Sequence, residues 1–168
     1  MTSSAPLTLA GVAAERQWRA ARHGSSSAFG VNMKPLLGAE GLVRVGVKCI
    51  LESNSPDGTR GVVFEDDGET GYFYARDYRM PDHVFADALH IYNVEGVTDR
   101  DRPCALKVIW TRDFEAAALL INQRPYAVFH FGQRCGYAQE PFPAADPRTG
   151  WRHARMEPTI KGLFFSEA

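Results

Sequence analysis

A period of two dominates the middle of this chain and restricts it to a strand-rich fold. In "LVRVGVKCIL" (residues 42–51), Val43, Val45, Val47, Cys49 and Leu51 fall on one face, with Arg44 and Lys48 on the other. "CALKVIW" repeats the pattern with Cys104, Leu106, Val108 and Trp110. Between them, "GVVFED" and "TGYFYA" flank Asp67-Gly68, a dipeptide that tolerates the positive φ a tight hairpin needs. "LHIYNV", "AAALLIN" and "YAVFHF" add further strand-like runs, and "SNSPDGTR" and "TRDFE" supply turns. The spacing predicts a mainly β fold: an antiparallel curved sheet or partial barrel of six to seven strands, with at most one or two short helices.

The two ends read differently. Residues 1–33 form an N-terminal tail, flexible or helical: "LTLAGVAAERQWRAAR" fits a short amphipathic helix, and "HGSSSAFG" fits a linker. Residues 34–168 form one β-rich domain. Its last thirty residues are rich in Pro and Gly, with Trp151 and "LFF" (163–165) as expected anchors. Charge divides at nearly the same place. Up to Lys34 four basic residues face one acid, whereas beyond it fifteen basic residues face nineteen acids.

This balance lacks the basic footprint of a nucleic-acid-binding domain. No run approaches the ~18 apolar residues of a membrane span. The N-terminus has no charged stretch followed by an apolar one, so no secretory signal is expected. Three widely spaced cysteines, Cys49, Cys104 and Cys135, show no zinc-type spacing. Two of them lie in apolar runs, as reduced buried thiols do, and the expected location is cytoplasmic.

Four acids crowd the hairpin: Glu65, Asp66, Asp67 and Glu69. "EDDGET" lacks the alternating oxygen ligands of a calcium loop, so the tip reads as a solvated or partner-facing turn rather than a metal site. If Asp67-Gly68 is a two-residue loop, Val62, Phe64 and Phe73 share one face and Tyr72 and Tyr74 occupy the other. A three-residue loop would put the tyrosines on the face of Val62 and Phe64. The first register is preferred, because it turns the apolar rings inward. Exposed tyrosines beside acids then resemble an interaction surface.

His83, Asp87 and His90 would share a helix face only if the segment were helical throughout, and "LHIYNV" reads as strand. His90, Tyr92 and His130 could together line a pocket in a small barrel, the alternative reading. Cys135 near His153 or His130 would be a nucleophile pair, but no turn bearing a nucleophile is evident. Glycine-rich phosphate loops, HExxH and GxSxG are absent. No cofactor or metal is expected, and the balance leans away from an enzyme.

"GVVFEDDGETGYFYARD", "DALHIYNV", "LLIN", "AVFHF" and "GYAQEPFP", in that order, resemble a bacterial family catalogued as domain of unknown function 2251, from about Leu42 to Trp151. The resemblance implies no activity. The functional expectation is a small protein-binding module, of regulatory or immunity type, whose acidic and aromatic hairpin meets a basic protein partner. The candidate contact residues are Glu65, Asp66, Asp67, Glu69, Tyr72 and Tyr74.

Overall fold

The computed structural model describes Leu7, Leu9, residues 34–80 and residues 85–165. Apart from Leu7 and Leu9, the expected helix of residues 7–22 lies outside these residues, as do the expected linker after it and His83. The fold is mainly β, with ten strands and one short helix among the described residues.

The strands are β1 (Leu36–Val43), β2 (Cys49–Asn54), β3 (Arg60–Asp66), β4 (Thr70–Asp77), β5 (Asp87–Asn93), β6 (Cys104–Trp110), β7 (Ala116–Ile121), β8 (Arg124–His130), β9 (Cys135–Ala138) and β10 (Arg152–Arg155). They form a six-stranded sheet in the order β1-β6-β7-β8-β9-β10 and a four-stranded sheet in the order β2-β3-β4-β5. Neighbours pair antiparallel except β9 and β10, which are parallel. The strand-rich class expected from alternation holds. Strands exceed six or seven because β1, β9 and β10 are short or weakly patterned, and the sheets stack instead of curling into one partial barrel.

One expected strand is two. Residues 42–51 alternate cleanly, yet β1 ends at Val43 and β2 begins at Cys49. Gly46 between them takes φ +89°, a left-handed conformation that breaks an extended run. Its N–H donates to the carboxylate of Asp66, 2.8 Å away. Val47 is consequently exposed rather than buried.

The inner faces of the sheets share one core. Val62, Phe64, Phe73, Ala75 and Leu89 from the small sheet meet Val108, Trp110, Leu119, Ala127 and Phe129 from the large one. Phe73 stacks on Phe129 with centroids 5.0 Å apart, and both are fully buried. Burial of such a side chain contributes about 1.5–3 kcal/mol. Polar links also cross the gap. Trp110 Nε1–H donates to Ser53 Oγ at 2.9 Å, and Arg60 Nη1–H donates to the Phe114 carbonyl at 2.8 Å. Leu7 and Leu9, from the stretch read as a tail, belong to this body: Leu7 bridges to Val97, and Leu9 is buried with its N–H on Asp99.

The outer face of the large sheet is covered as well. A short helix, α1 (Pro158–Lys161), starts on a proline, whose missing N–H costs nothing at that position. It delivers Ile160, and the turn after it delivers Phe164, onto Ile109, Ala118, Leu120, Val128 and Tyr137. Trp151 and Phe164 act as the expected anchors, whereas Leu163 is exposed.

Candidate functional site: the outer face of the small sheet

No described element packs over the outer face of the four-stranded sheet as α1 does over the large one. Register fixes its pattern. Ile50 on β2 stands opposite Glu65 on β3, Glu65 opposite Tyr72 on β4, and Tyr72 opposite His90 on β5. The next row runs Glu52, Val63, Tyr74 and Ala88. Aromatic rings connect the rows. Tyr72 stacks on Tyr74 at 5.8 Å and meets His90 edge-on at 5.4 Å. His90 in turn meets Phe142 at 5.8 Å, and Tyr74 meets Phe85 at 5.2 Å. Phe142 is held beside β5 because its carbonyl accepts the His90 N–H at 2.7 Å. Phe142, Phe85 and Ile50 are 58%, 48% and 61% exposed, so this aromatic row borders water. Burial, then the nearby Glu65 carboxylate, raises the pKa of the half-buried Tyr74.

The hairpin beside this face closes one residue later than Asp67-Gly68 suggests. Asp66 pairs with Gly71, and the Asp67 N–H donates to the Thr70 carbonyl at 3.1 Å, which makes Gly68 and Glu69 the central pair. Moving a two-residue loop by one position changes the cross-strand register by two, an even step that preserves faces. Val62, Phe64 and Phe73 therefore point inward, with Tyr72 and Tyr74 outward.

The acids divide in the same way, and here the reading of a four-acid contact surface needs correction. Asp66 is 1% exposed. Its Oδ2 accepts from the Tyr92 hydroxyl at 2.6 Å and from Gly46 N–H at 2.8 Å, and its Oδ1 accepts from Gly68 N–H at 2.8 Å. It ties the turn to the core and has no surface to offer a partner. Asp67 is exposed but occupied: it accepts the N–H groups of Glu69 and Thr70 at 2.9 and 2.8 Å. Donation from Thr70 N–H, then Glu69 N–H, holds its carboxyl below the ordinary range. Glu69 is exposed and Glu65 half-buried.

His90, Tyr92 and His130 do not converge. A β-bulge is responsible: Gly71 pairs with Tyr92 and Tyr72 with His90, leaving Ile91 unpaired. His90 and Tyr92, two apart in sequence, thus emerge on opposite faces. His90 points outward, with Nε2 2.8 Å from Asn93 Oδ1. Tyr92 lies in the core, its pKa pushed far up by burial and by donation to Asp66, and remains a neutral donor. His130 pairs with Ala116 and Cys135 on the outer face of the other sheet, and burial lowers its pKa. Cys135 is fully buried with its thiol pKa raised by that burial, which removes it as a nucleophile. Among the described residues no group of three His, Cys, Asp or Glu is placed to hold a metal.

One polar pair escaped sequence reasoning. His153 Nε2 lies 2.8 Å from both carboxylate oxygens of Asp87, with both side chains almost fully buried. The pair joins β5 of the small sheet to β10 of the large one. Its members are 66 positions apart, and no local pattern links them.

Known proteins place the chain. Residues 43–164 match the family described as uncharacterized proteins conserved in bacteria, DUF2251. The chain belongs to DUF2251. A relative from Haemophilus influenzae, named only "Uncharacterized protein", is 42% identical over 90 residues, which is 54% of this chain and 56% of that protein. The chain thus spans about half the length of that relative. No solved structure matches. DUF2251 membership covers the whole small sheet, from β2 through β5, and the Phe142 that packs against it.

Proposed function

We propose that this DUF2251 chain is a protein-binding module of regulatory or immunity type, and that it engages a basic protein partner through the outer face of the small sheet. One observation carries the reading: the contiguous row Phe142–His90–Tyr72–Tyr74–Phe85 on a sheet face that no described element covers. Aromatic side chains at the centre of a patch with a polar rim are the usual anchors of protein interfaces. Glu65, Asp67 and Glu69 border the row and favour a cationic partner. Compared with the hairpin tip alone, the contact surface loses Asp66 and gains His90, Phe85 and Phe142.

A reducing cytoplasm suits the three free cysteines. No helix among the described residues is long and apolar enough to cross a membrane. The test is affinity capture from the native host with wild-type chain and a Tyr72→Ala/Phe142→Ala variant. The variant is expected to keep its unfolding midpoint within a few degrees and to lose the captured partner. Equal capture by both would remove this face from the interface.

A further inference from the structure

Two neighbouring rows of the outer face share an arrangement of acid and aromatic ring, and among the described residues a basic side chain lies over the ring in one of them. In the first, the Arg76 guanidinium lies over the Phe85 ring, 5.0 Å from its centroid, with Nη2 3.7 Å from Glu52. This geometry combines cation–π attraction with a carboxylate contact, to which a planar guanidinium is suited. In the second, Glu65 stands between Ile50 and Tyr72, and Tyr72 meets His90. Glu65 is half-buried and has no ion pair or side-chain hydrogen bond among the described residues. Lys48, which lines the same groove, lies along the turn near Gly68 and makes no ion pair among the described residues. A surface groove of about 440 Å³ opens beside Glu65, with Lys48, Ile50 and Asp67 on its walls. A partly desolvated carboxylate without a partner is costly unless a cation reaches it.

We infer that the Glu65–Tyr72–His90 row is a subsite for an arginine side chain presented by the protein partner. The inference rests on the binding-module reading above and adds the chemistry recognised. The guanidinium would stack on the Tyr72 ring and pair with Glu65, as Arg76 does one row away with Phe85 and Glu52. Tyr72 supplies the ring and Glu65 the charge, so each can be removed separately.

The test uses isotope-labelled full-length chain titrated with a glycine–arginine nonapeptide, its lysine counterpart and its citrulline counterpart, with amide shifts as the readout. Shifts should cluster at Ile50, Glu65, Tyr72 and His90 with the arginine peptide, and be absent with citrulline, which keeps the shape without the charge. Glu65→Gln should weaken binding about fivefold, Tyr72→Leu about threefold to tenfold, and Tyr72→Phe little, because the ring is retained. Unchanged affinity in Glu65→Gln, shifts confined to Asp67 and Glu69, or equal binding of the lysine peptide would overturn the inference. If those outcomes appear while Tyr72→Ala/Phe142→Ala still loses the captured partner, the arginine subsite falls and the binding module stands. If capture persists in that variant, the module reading itself falls.

Discussion

The segment "GYFYA" on β4 compares two faces of one strand residue by residue. Phe73 points inward, fully buried and stacked on Phe129 of the opposite sheet. Tyr72 and Tyr74, on either side of it, point outward and stack on each other beside water. The carboxylates of this sheet follow the same division. Inward, Asp66 accepts from three donors, and Asp77 accepts from both Nε and Nη2 of Arg79. Outward, Glu65 has no such partner among the described residues. These inward carboxylates are therefore satisfied, whereas Glu65 is not matched among the described residues. The large sheet carries no parallel asymmetry, because Ile160 and Phe164 cover its outer side. An aromatic face that no described element covers, beside an acid without an ion pair or side-chain hydrogen bond among the described residues, is why the proposed interface is placed on the small sheet.

The largest effect should come from the inward ring. Phe73→Ala is expected to destabilise the fold by about 3–5 kcal/mol in denaturant titration, through lost transfer energy and an unfilled cavity against Phe129. A loss as small as that of an outward substitution would break the distinction between the faces. Asp66→Ala comes next, at about 2–4 kcal/mol, since it leaves the buried Tyr92 hydroxyl and two backbone N–H groups without their acceptor. Substituting the neighbouring acids Glu65 or Glu69 should leave stability nearly unchanged. A variant that reverses the whole acidic tip would confuse the two effects, unfolding the chain through Asp66 while appearing to test an interface.

That confusion marks the limit of what sequence could disclose here. Alternation identified Val62, Phe64, Phe73, Cys104, Leu106, Val108 and Trp110 as core, because period two is a local property of the backbone. It also turned Tyr72 and Tyr74 outward, even with the loop placed one residue early, because the displacement was even. It could not see the bulge at Ile91, where one unpaired residue sends His90 and Tyr92 to opposite faces. Nor could it separate Asp66 from Asp67. Their difference depends on Gly46, twenty positions away, and on Tyr92, twenty-six away. The Asp87–His153 pair is longer-range still. Long-range hydrogen bonds leave no periodic trace, and they decide which acids are structural.

The third test uses pH on an inward acid. Hydrogen bonding from the Arg79 side chain holds Asp77 below the ordinary carboxylate range. A depressed folded-state pKa contributes stability that is present above the unfolded value, about 3.9, and is lost as pH falls through the folded value. Wild-type chain should therefore lose stability below about pH 4, and Asp77→Asn should flatten that part of the profile. At neutral pH the substitution should cost about 1 kcal/mol, a modest figure because Arg79 is half exposed and solvent screens the pair. An identical acid limb in the variant would show that Asp77 is not among the groups that couple this fold to protons.

The smallest stability effect should come from Phe142→Ala, and it is the most informative of the set. Phe142 is 58% exposed and touches the His90 ring without entering either core cluster. Its removal should change stability by less than about 0.5 kcal/mol, as for most surface substitutions. Phe164→Ala, on the covered outer face of the other sheet, should cost about 2–4 kcal/mol, because it strips the lid from Leu120 and Val128. The same change on two outer faces is thus expected to differ severalfold in stability. Partner capture should show the reverse order, with loss in Phe142→Ala and retention in Phe164→Ala at temperatures where the latter remains folded. Equal costs would mean that Phe142 is part of the core. A small cost without loss of capture would leave the aromatic row as ordinary surface, since scattered exposed apolar side chains need no partner to account for them.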